Sequence, residues 1–197
     1  MNSLCNQTYP SSNHQIIIVD GNSTDGTPEI VKEYIENLKE GMPEIILLNN
    51  PNRYVSQARN IAFDNLPDEV EYIFETVAHA TFPKNHLEIR MNQFLELQAK
   101  NANKIAAIGT ILKPPVEKMT FMSTLIEASL GNPLGSGRGA YAQFKGLQRT
   151  RIPPLAIYRV DALKSVDGYD DELITAQDSD LNMRLIKNGW QIWRSDI

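Results

Sequence analysis

The sequence predicts an α/β fold with a mostly parallel central sheet flanked by helices, and three observations predict it. QIIIVD (Gln15 to Asp20) and EIILLN (Glu44 to Asn49) are continuous apolar runs, rich in β-branched residues, which are typical of strands buried on both faces. An amphipathic segment with Pro28 near its start lies between them and is expected to be a helix. Further apolar runs alternate with amphipathic segments, which favours parallel strands.

The remaining elements follow in the same order, and no repeat or linker divides the chain. Thr27 is expected to cap the first long helix, which Gly41 and Pro43 end. Helices are predicted at 56–64, 86–99, 117–130 and 177–188, and strands at 70–75, 104–112, 155–158 and 191–194. We therefore expect a single domain over residues 1–197.

The composition is that of an ordinary globular domain. Apolar residues make up 42% and charged residues 22% of the 197 residues, which argues against disorder. The net charge of -5 disfavours nucleic-acid binding. Cys5 is the single cysteine, so neither an internal disulfide nor a cysteine-rich zinc site can form. With no run of about 18 apolar residues and no leader-like start, the sequence predicts a soluble, cytoplasmic domain.

Ligands of open α/β sheets bind where the strands end at their carboxyl edge, and Asp20 ends the first predicted strand. A carboxylate there can accept hydrogen bonds from a ribose hydroxyl or a base edge. Asp20, Ser23 and Asp25 can also satisfy backbone amides in a tight turn. The position of Asp20 leaves both interpretations open.

The segment ETVAHATFP follows another predicted strand. Glu75, Val77 and His79 would share a face if that strand continued through them. A glutamate and a histidine can ligate a divalent cation, but two ligands fall short of a site built by the protein. On its own, His79 is expected to be a hydrogen-bonded loop histidine.

Two acidic residues open the last predicted helix. Asp178 begins the face that Leu181 continues, whereas Asp180 can pair with Arg184 four residues later. Thr175 and Asp178 also resemble a capping box, so the helix geometry alone does not make Asp178 catalytic.

The segment GNPLGSGRGAY contains four glycines within nine residues. It lacks the Lys-Ser/Thr ending of a phosphate-binding P-loop, and no strand directly precedes it. We interpret it as a mobile loop that covers the substrate, with Arg138 as a contact to phosphate.

Four blocks carry a family resemblance: IIIVDGNSTDGT, NRYVSQARNIAF, VAHATFP and VDGYDDELITAQDSDLNMRLIKNGW. In this order they resemble family 2 glycosyltransferases, and among these the bacterial exopolysaccharide enzymes of the succinoglycan type. The resemblance implies a GT-A nucleotide-diphospho-sugar transferase fold. It implies an inverting enzyme of polysaccharide or glycolipid synthesis, with a nucleotide-binding half at 1–112 and an acceptor-binding, catalytic half at 113–197.

The resemblance also assigns site residues. Asp178 matches the catalytic base, and Gln177 stands where the family usually has glutamate. Arg138 of the glycine-rich segment and Asp180 of the last helix are further candidates for contact with the acceptor and the phosphate. The nucleotide-sugar is expected to contact Asp20, Asn22, Ser23, Asp25 and Arg59.

The resemblance further implies a divalent cation, Mg²⁺ or Mn²⁺, that offsets the charge of the leaving diphosphate. His79 matches the histidine of the family's Asp-Ala-His motif, but Val77 replaces its aspartate. Glu75, two residues earlier, is the remaining carboxylate candidate. Weak cation binding is therefore expected.

The implied partners are a UDP-sugar donor and a glycan or lipid-linked acceptor, at the inner face of the membrane. Family members carry a strand before the segment SLCNQTYP and continue past Ile197. The chain is accordingly expected to be shortened at both ends, without the strand that lies beside Gln15 to Asp20.

Two alternatives remain open. A non-catalytic remnant of the same fold would bind a partner or a sugar nucleotide without transferring the sugar, which Val77 and Gln177 favour. A dinucleotide-dependent oxidoreductase would need G-x-G-x-x-G after the first strand, and DGNSTDGT does not supply it.

Overall fold

The computed structural model describes residues 1–101, 104–110, 120–131 and 145–196. The strands are β1 (Gln15–Asp20), β2 (Glu44–Asn49), β3 (Tyr72–Phe74), β4 (Ile105–Thr110), β5 (Gln148–Arg149), β6 (Ile157–Arg159) and β7 (Gln191–Ser195). The α-helices are α1 (Asn2–Cys5), α2 (Thr27–Glu36), α3 (Val55–Asp64), α4 (His86–Lys100), α5 (Phe121–Gly131), α6 (Val160–Lys164) and α7 (Gln177–Lys187), and a 3-10 turn covers Ser11–Asn13.

The first two strands form a parallel pair. They align from Gln15 opposite Glu44 to Asp20 opposite Asn49, and α2 connects them. Within the described ranges, β1 has β2 as its one strand partner. The apolar side chains of β1 are therefore half-buried, and the prediction that both faces of this strand are buried is wrong.

The second sheet has the strand order β3-β6-β4-β7-β5. β4 and β7 are parallel, whereas β6 runs antiparallel to both β3 and β4, and β5 antiparallel to β7. The α/β class is confirmed, but the strand directions are more mixed than predicted. A hydrophobic pattern specifies the faces of a strand and not its direction, so the sequence could not predict these antiparallel pairs.

The core lies on both faces of the second sheet. One cluster joins α4 to the sheet through Phe94, Leu97, Ile105, Ile108 and Ile157. The other joins α6 and α7 to the sheet through Ala107, Tyr158, Leu163, Leu181 and Leu185. Because Ile157 and Tyr158 are adjacent and belong to different clusters, the sheet separates two layers of helices.

The predicted bounds of β1 and β2 are confirmed, whereas the short helix α6 was not predicted. Strands β6 and β7 come from the predicted second half of the chain and pair with β3 and β4 of the first half. Both halves thus contribute to one sheet. Each helix in the described part of the chain is too short or too polar to span a bilayer.

Candidate active site

Polar side chains along α3 fasten this helix to the segment 169–173, which leads toward α7. The hydroxyl of Ser56 donates to the carbonyl of Leu173 at 3.0 Å. The side chain of Asn60 donates to the carbonyl of Tyr169 at 2.7 Å and accepts from the N–H of Tyr169 at 2.9 Å. Asn60 therefore satisfies both backbone groups of Tyr169 and fixes its position.

A tight turn precedes Tyr169. Gly168 has φ +66°, and a Cβ atom there would lie 2.8 Å from Oδ1 of Asn60. Arg184 of α7 donates to the carbonyl of Gly168 at 2.9 Å. Asp180 pairs with Arg184 (Nε–Oδ2 2.7 Å), as the helical spacing predicts. The turn requires glycine because the left-handed conformation and the close approach of Asn60 both disfavour a side chain.

Helix α7 presents Asp178 in its first turn. Its N-cap is Ala176, at φ +59°, and no side chain caps the helix. The predicted capping box of Thr175 and Asp178 is therefore wrong. The side chain of Asp178 is 51% exposed, whereas Leu181 on the following turn is fully buried. Asp178 thus stands at the solvent edge of a buried helix face.

Arg59 of α3 brings two acidic residues together. Its Nη1 donates to Oδ1 of Asp178, and its Nη2 lies 3.5 Å from Oε2 of Glu75. The guanidinium also lies over the ring of Tyr169, with its carbon 4.9 Å from the ring centre. The hydroxyl of Tyr169 donates to Oε1 of Glu75. We name these four residues the Arg59 network.

The charges of this network perturb one another. Burial by itself lowers the pKa of Arg59, but the carboxylates of Glu75 and Asp178 outweigh it and raise that pKa above its ordinary value. Burial raises the pKa of Glu75 more than Arg59 and the Tyr169 hydroxyl lower it. Burial also raises the pKa of Tyr169, so its hydroxyl keeps the proton that it donates.

The carboxyl end of β1 and the loop after it hold four of the five predicted nucleotide-binding residues, whereas the fifth, Arg59, lies on α3. Oδ2 of the buried Asp20 accepts from the N–H of Ser23 at 2.9 Å, as the turn interpretation predicts. Oδ1 of Asp20 has no hydrogen-bond partner within the described ranges and is free to accept. Asp25 accepts from the N–H and the hydroxyl of Thr27, which lowers the pKa of Asp25. Gly26, not Thr27 as predicted, is the N-cap of α2.

The structure does not supply the implied cation site among the residues that it describes. β3 ends at Phe74, so Glu75, Val77 and His79 do not continue a strand face. Val77 and His79 are exposed, whereas Glu75 is held by Arg59 and Tyr169. No cluster of three or more His, Cys, Asp or Glu side chains suited to a metal occurs in the described ranges. Within the described ranges, protein side chains alone therefore do not build a cation site.

Two other predicted positions lie outside the Arg59 network, and a third is not among the described residues. Asn22 is exposed, at φ +63°, in the loop after β1. Asp180 is engaged by Arg184, as described above. Arg138 falls outside the described residues.

Sequence reasoning missed Tyr169, Ser56 and Asn60. One signal was available, since Ser56 and Asn60 are four residues apart and share a face of a predicted helix. Tyr169 gave no comparable signal, because its partner Glu75 is 94 residues away in the chain.

The mixed α/β fold is that of GT-A glycosyltransferases. The chain belongs to glycosyl transferase family 2, whose family model matches residues 1–167. The oxidoreductase alternative is therefore wrong. The structure is similar to Staphylococcus aureus TarS 1-349 crystallised with UDP: the TM-score is 0.66 at 17% identity, covering 100% of this chain and 55% of that one.

Two curated relatives are similar over most of this chain. The succinoglycan biosynthesis protein ExoA of Rhizobium meliloti (strain 1021) is 31% identical over 185 residues, which are 93% of this chain and 52% of that protein. A dolichyl N-acetyl-alpha-D-glucosaminyl phosphate 3-beta-D-2,3-diacetamido-2,3-dideoxy-beta-D-glucuronosyltransferase of Methanococcus voltae is 27% identical over 189 residues, covering 95% and 56%. The chain spans about half the length of these relatives.

Proposed function

We propose that the protein transfers a sugar from a UDP-sugar to an acceptor hydroxyl, with inversion at the anomeric carbon. One observation carries the proposal: in a chain of family 2, Asp178 presents a half-exposed carboxylate at the start of α7. It is a group that can take a proton from a bound acceptor.

The displacement needs one proton acceptor. As the acceptor oxygen attacks the anomeric carbon, its O–H bond breaks and the bond from that carbon to the diphosphate breaks. Asp178 takes the proton, and the bonding electrons leave with UDP. Oδ1 of Asp178 is held by Arg59, whereas Oδ2 has no hydrogen-bond partner within the described ranges and can reach the acceptor.

The donor is proposed to bind at the carboxyl end of β1. Oδ1 of Asp20 is free to accept from the nucleoside, and Asn22, Ser23 and Asp25 lie in the loop that follows. The UDP in the TarS crystals supports a uridine nucleotide as donor. The described side chains do not by themselves build a site for a divalent cation, and the proton transfer above depends on Asp178.

The acceptor is proposed to be a glycan or a lipid-linked sugar, at the cytoplasmic side of a membrane. The names of the two curated relatives, a succinoglycan biosynthesis protein and a dolichyl phosphate glycosyltransferase, support this class of acceptor. Arg138 is proposed to contact the diphosphate, and Asp180 is proposed to contact the acceptor.

The test is UDP release by the purified 197-residue chain. The donors are UDP-glucose, UDP-galactose and UDP-N-acetylglucosamine, each with an acceptor fraction of lipid-linked oligosaccharides. We expect release from at least one donor that depends on the acceptor. A chain that neither binds UDP in a calorimetric titration nor releases it from any donor would contradict the proposal.

A second candidate is a binding module of the same fold. Val77, which cannot ligate a cation, and Gln177, in place of the family glutamate, favour it. This candidate predicts that UDP binds and that no donor is turned over. The two measurements above therefore separate a transferase from a binding module.

A further inference from the structure

Glu75 is a buried charge that the proposed reaction does not use. Glu75 follows β3 at the edge of the second sheet, and its side chain is 15% exposed. Both of its carboxylate oxygens contact residues of the Arg59 network. Oε1 accepts from the hydroxyl of Tyr169, and Oε2 lies 3.5 Å from Nη2 of Arg59. An ionised carboxylate is costly to bury unless it is paired, and these two contacts offset part of that cost.

Arg59 carries the effect of Glu75 to the site. The guanidinium group is a rigid planar fork, so holding one terminal nitrogen fixes the direction of the other. Nη2 forms an ion pair with Glu75 at 3.5 Å, the ring of Tyr169 lies against the plane, and Nη1 donates to Asp178. Asp178 itself is 51% exposed, so Arg59 is the contact that restricts the orientation of its carboxylate.

We propose that Glu75 and Tyr169 are positioning residues that hold Arg59 and, through it, orient the carboxylate of Asp178 toward the acceptor. The proposal rests on the proposed function, in which Asp178 takes the proton. Binding of Oδ1 by Arg59 leaves Oδ2 directed away from the network. A displacement of about 1 Å can lower a rate roughly 100-fold, so positioning of this kind affects kcat.

The first test does not need turnover. In the ligand-free chain, NMR of the Arg59 guanidinium is expected to show separate, exchange-protected signals for its two terminal nitrogens. Glu75→Gln and Tyr169→Phe are expected to merge or weaken these signals. Glu71→Gln and Tyr72→Phe are the matched controls: Glu71 is exposed, and the Tyr72 hydroxyl bonds Gln98 instead.

The second test separates positioning from stability. Glu75→Gln is expected to lower kcat about 10- to 100-fold, with an unchanged KM for the UDP-sugar. In an Arg59→Gln background, Glu75→Gln is expected to lower kcat little further. Arg59 is the residue through which Glu75 orients Asp178, so its loss already removes the effect of Glu75.

The outcomes are distinct. Arg59 signals that stay as in the unmodified chain after Glu75→Gln would overturn the proposal, as would additive losses of kcat in the double variant. Arg59 signals that depend on Glu75, in a chain that transfers no sugar, would support the network and contradict the proposed function.

Discussion

Arg59 donates to the carboxylate of Asp178, although 119 residues separate them in the chain. The contact joins the QARN segment of α3 to the first turn of α7. Two of the sequence blocks that carry the family resemblance therefore meet at one site. The hydrogen bonds of Ser56 and Asn60 to the segment 169–173 hold the two helices in this relation.

Asn60→Ala is predicted to destabilise the fold. It leaves the N–H and the carbonyl of Tyr169 without their partner, and an unsatisfied buried group costs about 1–3 kcal/mol. We expect a loss of about 2–3 kcal/mol in urea unfolding. Asn65→Ala, which removes an exposed bond to its own helix, is the control and should cost far less. Equal losses in both variants would contradict the role of Asn60.

Gly168→Ala is predicted to cost more than Gly189→Ala. Both glycines have positive φ, at +66° and +85°, so both substitutions add backbone strain of about 1–2 kcal/mol. A Cβ at Gly168 would also lie 2.8 Å from Oδ1 of Asn60, whereas nothing lies within 4 Å at Gly189. Thermal unfolding of the two variants measures the difference. Similar losses of stability in the two variants would show that Asn60 does not crowd a Cβ atom at position 168.

Local patterns predicted the strands better than they predicted the site. β1 and β2 have the expected bounds because continuous β-branched runs specify a strand. The pairing of Glu75 with Tyr169 depends on how the segment after α6 packs against the sheet. Patterns within a short stretch of sequence do not predict such packing. The proposed role of Asp178 came from the resemblance, since helix geometry alone left it open.

The raised pKa of Glu75 predicts a dependence of stability on pH. Because the folded protein binds this proton more tightly than the unfolded chain, the contribution of Glu75 to the free energy of unfolding is fully present below about pH 4.5. This contribution is lost as the pH rises through the raised pKa of Glu75. The charged and titratable groups that face Glu75 are Arg59, Asp178, Tyr158 and Tyr169.

Urea unfolding of the unmodified chain and of Glu75→Gln between pH 4.5 and 7 measures this contribution. The stability of the unmodified chain relative to Glu75→Gln is expected to fall as the pH rises. Glu71→Gln should show no such trend. A relative stability that rises with pH would mean that the Arg59 contact outweighs the burial of Glu75.

Cation binding is predicted to be weak without a nucleotide. Val77 offers no ligand, and the described residues form no three-membered cluster for a metal. If His79 faces the same site, Val77→Asp is expected to strengthen Mn²⁺ binding in a calorimetric titration, since it adds a carboxylate two residues away. Thr76→Asp, at the neighbouring exposed position, is the control. Tight Mn²⁺ binding by the unmodified chain would contradict this prediction and would mean that the cation has ligands other than Glu75 and His79.

The proposed catalytic role of Asp178 is tested most directly by sugar transfer of Asp178→Asn, measured together with the melting temperature. The substitution keeps the shape and removes the basicity, so we predict that kcat falls about 10²- to 10⁴-fold while the melting temperature changes little. Asp68→Asn, at an exposed carboxylate before β3, should leave both unchanged. Transfer that survives in Asp178→Asn while its melting temperature drops would make Asp178 a structural residue and contradict the account.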